Sequence, residues 1–313
     1  SGFTGVGYPK ITPIALAEYV EKNKLQGKLR FDLFVGASVA PETENRWARN
    51  LMIARRYPYQ SGKDVQKEIN MNRTLFADKH LSEFPLGNKM EKLDVVIIEV
   101  TAITEEGYLI PGASVGATPE LVQSAENIIV EVNTALPNFE GLHDITFSKF
   151  APYKFPILIQ RVDDRIGTVL IESKKVDKQQ ASALADETSI KIANNILEFF
   201  ENEVNMGRLP KQLLPLQSGV GNIANSIIGG LVDGPFSNVE VWTEVIQDTF
   251  LDFWEHHKLS FASATSISFS TEGFDRFYEI WDDVKDRLVL RSQSVSNSPE
   301  IIRRLGVIAM NTP

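Results

Sequence analysis

Short apolar runs rich in β-branched residues alternate along this chain with longer stretches of helical period, and that alternation constrains the fold more than any other feature. Strand, crossover helix and strand together make the repeating unit of a mostly parallel sheet, so the fold class is α/β. The expected strands are 29–35, 93–100, 128–132, 239–245, 261–269 and 307–310, whose Val, Ile and aromatic side chains suit a pleated, buried surface. The clearest helix follows Asp186, an N-cap residue, and sets Ile190, Ala193, Leu197, Phe200 and Val204 on one face until Gly207 and Pro210 stop it. Its Glu198, Glu201 and Glu203 read as a solvated face.

At 313 residues the length fits two domains. The breakers and charges of Gly207-Arg208-Leu209-Pro210-Lys211 mark the expected boundary, with an N-terminal domain over 1–206 and a second over 207–313. The second pattern offers about three strands, and the chain closes on the apolar run 307–310, so this domain is expected to be incomplete.

Several classes fall away on composition. With no cysteine, the chain has no disulfide framework, thiolate metal site or cysteine nucleophile. Its net charge of −9, with Lys and Arg never forming a long run, lacks the footprint of a nucleic-acid binder, although backbone amides and local cations leave a polyphosphate ligand open. Apolar runs such as Val95-Val96-Ile97-Ile98 fall far short of the ~20 residues that span a bilayer, so no membrane association is expected. The four histidines, His80, His143, His256 and His257, lack ligand spacing, and no metal is expected. No charged and apolar leader is visible at Gly2-Phe3 to direct secretion, and a cysteine-free acidic chain is expected in the cytoplasm, with the mitochondrial matrix as the alternative.

Four segments are candidate sites, each with a plainer reading beside it. The turn Ser1-Gly2-Phe3-Thr4-Gly5-Val6-Gly7-Tyr8-Pro9-Lys10 precedes a helix near Thr12 and either approaches a phosphate or is a tight structural turn. Gly36-Ala37-Ser38 follows a strand, where open α/β sheets place ligands, or is a turn that needs small residues. In Ser218-Gly219-Val220-Gly221-Asn222 two glycines flank one residue where an apolar helix begins, so freed N–H groups there can hold an oxyanion. Leu216 stands where a nucleophile elbow needs glycine, which excludes Ser218 as a hydrolase serine. Finally, Glu244 lies in an apolar strand approaching a helix; such a carboxylate is either ion-paired or kept for its reactivity.

Taken in order, Ser-Gly-Phe-Thr-Gly-Val-Gly-Tyr-Pro-Lys at 1–10, Gly-Ala-Ser at 36–38, Leu-Leu-Pro-Leu-Gln-Ser-Gly-Val-Gly-Asn-Ile-Ala-Asn at 213–225, Thr-Glu-Val-Ile-Gln-Asp at 243–248 and Ile-Ile-Arg-Arg-Leu-Gly-Val-Ile-Ala-Met-Asn at 301–311 closely resemble the acetyl-CoA hydrolase/transferase family of class I CoA-transferases. The resemblance implies tandem open α/β domains of the CoA-transferase type. It implies Glu244 as the nucleophile, the Val220 N–H as an oxyanion donor, and Gly36 and Ser38 lining the acyl or carboxylate pocket. Ser218, Gly219, Gly221 and Asn222 complete the expected substrate loop.

The same resemblance implies coenzyme A as a substrate with no permanently bound cofactor, acyl-CoA and small carboxylates as partners, and a homodimer. Family chains continue beyond 307–310 into a second glycine-rich loop with another oxyanion donor, which is missing from this sequence. The expected activity is CoA transfer between acyl-CoA and acetate or succinate through a glutamyl-CoA thioester. The alternatives are an acetyl-CoA hydrolase, in which water is the acceptor, and a catalytically silent CoA-binding module.

Overall fold

The computed structural model describes residues 7–36, 41–57, 62–78, 92–145, 159–161, 168–176, 186–219 and 221–310. The chain divides into two compact units, Ser1–Glu140 with Ile157–Val176, and Gly141–Pro156 with Asp177–Pro313. Both alternate helices with mainly parallel strands, so the expected α/β class holds.

The first unit opens with α1 (Thr12–Lys22), β1 (Phe31–Phe34), α2 (Pro41–Arg49), β2 (Ile53–Tyr57), α3 (Lys63–Asn70) and β3 (Leu75–Phe76). The three strands pair in parallel in the order β1-β2-β3. Ala17, Val20, Trp47, Ala48, Met52, Ile53 and Val65 form their core, and the buried Trp47 indole meets its polar need by donating to the Pro13 carbonyl at 2.8 Å.

Next come β4 (Leu93–Ile103), β5 (Tyr108–Pro111), α4 (Thr118–Ser124), β6 (Ala125–Asn133) and, after a strand β7 (His143–Asp144) that belongs to the second unit, β8 (Ile159–Arg161) and β9 (Thr168–Ser173). Among the described residues these make a sheet ordered β8-β5-β4-β6-β9, with β5 antiparallel to its neighbours.

The second unit continues with α5 (Glu187–Asn205), β10 (Leu216–Ser218), α6 (Asn222–Asp233), β11 (Val239–Trp242), β12 (Val245–Gln247), α7 (Thr249–Glu255), β13 (Leu259–Ala264), β14 (Ser266–Ser268), α8 (Thr271–Glu279), α9 (Trp281–Val284), β15 (Leu288–Arg291), α10 (Gln293–Ser296), α11 (Pro299–Leu305) and β16 (Ile308–Met310). Its main sheet is wholly parallel in the order β16-β10-β11-β13-β15-β7. Strands covered on both faces must be apolar throughout, and Leu288, Val289 and Leu290 are accordingly all buried. Helix α7 buries Phe250, Leu251, Phe253 and Trp254, each contributing about 1.5–3 kcal/mol of transfer free energy.

Three expectations need correction. The division falls at Val176/Asp177 instead of 206/207, because α5 packs on α6: Gly230 leaves the space that Leu197 fills, and Phe200 meets Phe236 edge-on at 6.4 Å. The 207–211 stretch is then only the turn from α5 to β10. On α5 itself, Asp186 caps the helix by accepting the Ser189 N–H at 2.7 Å, but Ile190 is exposed and Ser189 is buried in its place. Lastly, the expected strands 239–245 and 261–269 are each broken in two, and that break makes the site.

Candidate active site

In open parallel sheets, functional groups collect at the carboxyl ends of the strands. Strand β11 ends at Trp242, and Thr243 and Glu244 lie in the gap before β12; the neighbouring β13 breaks at the same level, at Thr265. The two gaps hold each other. The Thr243 N–H donates to the Ser263 carbonyl at 2.9 Å, and the Glu244 carbonyl accepts the N–H groups of Thr265 and Ser266 at 3.0 and 3.2 Å. Beyond the gap, β12 pairs with β14 as a separate two-stranded parallel sheet.

Glu244 is thus fixed at its backbone while its carboxyl is left poor in partners. Oε1 is buried with no hydrogen-bond partner, and among the described residues no cation pairs with the group. The Asn297 side-chain amide is the polar neighbour that acts on the carboxyl. Burial raises the Glu244 pKa above the ordinary carboxylate range, and the Asn297 donor works against that rise. Of the two sequence readings, the structural ion pair finds no cation among the described residues. A poorly solvated carboxyl with one neutral polar neighbour is compatible with the second reading, a group kept for its reactivity.

The residues on either side of Glu244 clamp the glycine loop. Thr243 Oγ1 accepts the Ser218 N–H at 3.3 Å and donates to the Ser218 carbonyl at 3.0 Å. Gln247 Nε2 donates to the Gly219 carbonyl at 3.0 Å, and the Gly219 N–H donates to Met310 at 3.0 Å. Gly221, the N-cap of α6, has φ of +139°, a conformation open to glycine and to almost nothing else. Asn222 is the first residue of that helix. The Ser218 hydroxyl is spent on the Gly219 carbonyl, at 3.2 Å. Val220 lies outside the described residues, between two glycines that are each held by the fold.

The Glu-Val-Ile-Gln-Asp sequence is now explained residue by residue. Val245 and Ile246 are core, Gln247 holds the glycine loop, and Asp248 accepts the Ser270 N–H at 3.0 Å, fixing the start of α8. Sequence reasoning missed Asn297 and Thr243. The signal for Asn297 was available in the polar run Ser292-Gln293-Ser294-Val295-Ser296-Asn297 directly after a buried strand, where a parallel sheet exposes its carboxyl edge.

The first unit is a separate matter. Gly36 is buried just after β1, where its carbonyl accepts Arg56 Nη2 at 2.9 Å; Ser38 lies outside the described residues. Arg56 also pairs with Glu44 at 3.1 Å, both side chains being buried, so the strand-end turn is anchored from within. After the N-terminal turn, the start of α1 is held by the chain itself over residues 10–12. The Glu131 carboxylate, on β6, accepts the N–H groups of Lys10, Ile11 and Thr12 at 2.6, 3.0 and 2.5 Å. A carboxylate of the chain itself therefore occupies the anion site at the start of α1. Residues 1–6 are outside the described residues.

The fold has counterparts among solved structures. RipA from Yersinia pestis superposes with a TM-score of 0.70 at 18% identity, covering 98% of this chain and 67% of that one. A 4-hydroxybutyrate CoA-transferase from Porphyromonas gingivalis gives a TM-score of 0.61 at 14% identity, over 94% and 71%. The fold class is α/β, shared with these structures. The profile of the acetyl-CoA hydrolase/transferase N-terminal domain matches residues 1–177, ending where the second unit's long C-terminal run begins. The acetyl-CoA hydrolases of Neurospora crassa and Schizosaccharomyces pombe are 58% and 56% identical to this chain over its whole length. The chain belongs to the acetyl-CoA hydrolase/transferase family. It spans 63% and 64% of the length of those two relatives.

Proposed function

We propose that this chain carries the nucleophile of an enzyme that breaks the acetyl-CoA thioester by covalent catalysis at Glu244. The observation that carries the reading is the buried carboxyl with a free Oε1, no cation among the described residues, and a clamped glycine loop linked to its flanking residues. Acetyl-CoA is the substrate named in the relatives, which supports it for this chain.

The Glu244 carboxylate attacks the acyl carbonyl and expels CoA thiolate, leaving an acyl-glutamyl anhydride. The thiolate returns to the Glu244 carbonyl carbon and displaces acetate, so the side chain becomes a glutamyl-CoA thioester. Each step passes through a tetrahedral oxyanion, and one backbone donor such as the Val220 N–H is worth about 2.7–4 kcal/mol at such a point. The Asn297 amide favours the charged form of the same carboxyl, the form that attacks.

The last acceptor decides the overall reaction. Water attacking the glutamyl carbonyl releases CoA thiol and restores the carboxylate, which is the hydrolase reading favoured by the relatives' names. A second carboxylate attacking there forms a new anhydride, and the thiolate then leaves on the new acyl group. This transferase reading is favoured by the nucleophile itself, since a glutamyl thioester conserves the energy that direct hydrolysis discards. Thiol release by the full-length protein, measured with and without acetate or succinate, separates the two. A hydrolase releases thiol at the same rate with no acceptor; a transferase exchanges CoA between acids and releases little. Thiol release or exchange that persists in Glu244→Ala overturns both.

A further inference from the structure

The second unit also buries an ion pair that the proposed chemistry does not use. Arg291, at the end of β15, is 3% exposed and Asp144, on β7, is 0% exposed, with Nε to Oδ2 at 3.0 Å. Such a pair is poor evidence of stabilisation, because desolvating two charges can cost more than their attraction returns. Its contacts suggest what it does instead. Arg291 Nη1 donates to Ser263 Oγ at 2.6 Å, and the Ser263 carbonyl receives the Thr243 N–H. The guanidinium also lies over the Trp242 ring, 5.2 Å from its centroid. Trp242 Nε1 donates to the Ser296 carbonyl at 2.8 Å, and the next residue, Asn297, carries the amide that acts on the Glu244 carboxyl.

Two routes therefore run from Arg291 to the same carboxyl. One reaches its backbone through Ser263 and Thr243, and the other its side chain through Trp242, Ser296 and Asn297. We propose that the Asp144–Arg291 pair is a positioning device that sets the angle and distance of the Glu244 carboxyl through Trp242 and Ser263. It draws on three different strand ends, β7, β15 and β13, to hold a gap that has lost its own ladder. A planar, always-charged guanidinium suits the task, because it can hydrogen-bond in its plane while its face stacks on the indole.

The inference rests on Glu244 being the nucleophile, and the test separates the two claims. Trp242→Phe keeps a ring beneath Arg291 and removes only the donor to Ser296; Ser263→Ala removes one acceptor of Arg291; Asp144→Asn keeps an acceptor and removes the countercharge. Each is made in the full-length protein and mixed with acetyl-CoA. The rate of CoA attachment to Glu244 is read by mass spectrometry, per folded molecule. Misplacing a reacting group by about an ångström costs up to roughly a hundredfold, so Trp242→Phe should slow attachment by about tenfold or more with the acetyl-CoA KM kept within about twofold. A merely structural pair would lower the folded fraction and leave the rate per folded molecule alone. Trp242→Phe and Ser263→Ala at the wild-type rate overturn the proposal, whether or not Asp144→Asn folds. Wild-type protein that forms no adduct overturns the nucleophile reading and this inference with it.

Discussion

Glu244→Gln should make the protein more stable and inactive together. Glutamine keeps the shape and the polar character beside Asn297 but carries no charge to desolvate. Leaving a buried polar atom unsatisfied costs about 1–3 kcal/mol, and more when the group is charged. Oε1 is such an atom, and glutamine still buries a neutral one in its place, so the expected net gain at pH 8 is about 1 kcal/mol. For a unit of this size that is a rise in Tm of roughly 2–4 °C.

The gain must depend on pH, and its sign follows from the direction of the shift. Burial raises the folded-state pKa, so the folded protein holds this proton more tightly than the unfolded chain. Wild-type stability therefore falls as pH rises from the ordinary carboxylate range through the raised folded value, and the glutamine variant lacks that fall. Urea unfolding of both proteins from pH 4 to pH 8 should show a difference that is small at the acid end, grows with pH and then levels off. Turnover should drop on the order of 10⁴-fold or more, as for other lost nucleophiles. A variant less stable than wild type at pH 8, or a difference that ignores pH, would refute the picture of an unpaired, desolvated carboxylate.

Other predictions touch the groups around it. Asn297→Ala removes the donor that lowers the Glu244 pKa, so the acidic limb of the pH–rate profile should move to higher pH; an unmoved limb counts against that contact. Gln247→Met keeps the volume and loses the donor to Gly219, which should cut kcat about tenfold at little change in KM, since in the proposed mechanism this loop serves the transition state. Glu131→Gln leaves the start of α1 without its charged acceptor and should lower stability by about 1.5–3 kcal/mol, seen as a lower urea midpoint, with activity per folded molecule unchanged.

The sequence made most of the architecture legible through its longer elements. The 93–100 and 128–132 runs lie inside β4 and β6, and Asp186 and Gly207 bracket α5 as expected. What escaped detection was short or distant. Strands β7, β10 and β15 have two, three and four residues, too few to display a period, and β7 is separated along the chain from the rest of its sheet by β8 and β9. The second sheet is consequently twice as wide as the sequence suggested.

The candidate site was legible in part for a related reason. Glu244 and the Ser218-Gly219-Val220-Gly221 loop stand out locally, as an acid among apolar residues and as a glycine pair before a helix. Their linkage does not. Thr243 and Gln247 look like ordinary strand residues until β10 is placed beside β11. Asp144 and Arg291, separated by 147 positions, become partners only in three dimensions.

The central claim is that Glu244 becomes covalently attached to CoA during turnover. Full-length protein mixed with acetyl-CoA, quenched and digested, should yield a peptide containing Glu244 whose mass is increased by CoA, less the water lost on thioester formation. The adduct should vanish in Glu244→Gln and on treatment with hydroxylamine. Turnover of acetyl-CoA with no adduct on that peptide, or with CoA carried by another residue, would contradict the account.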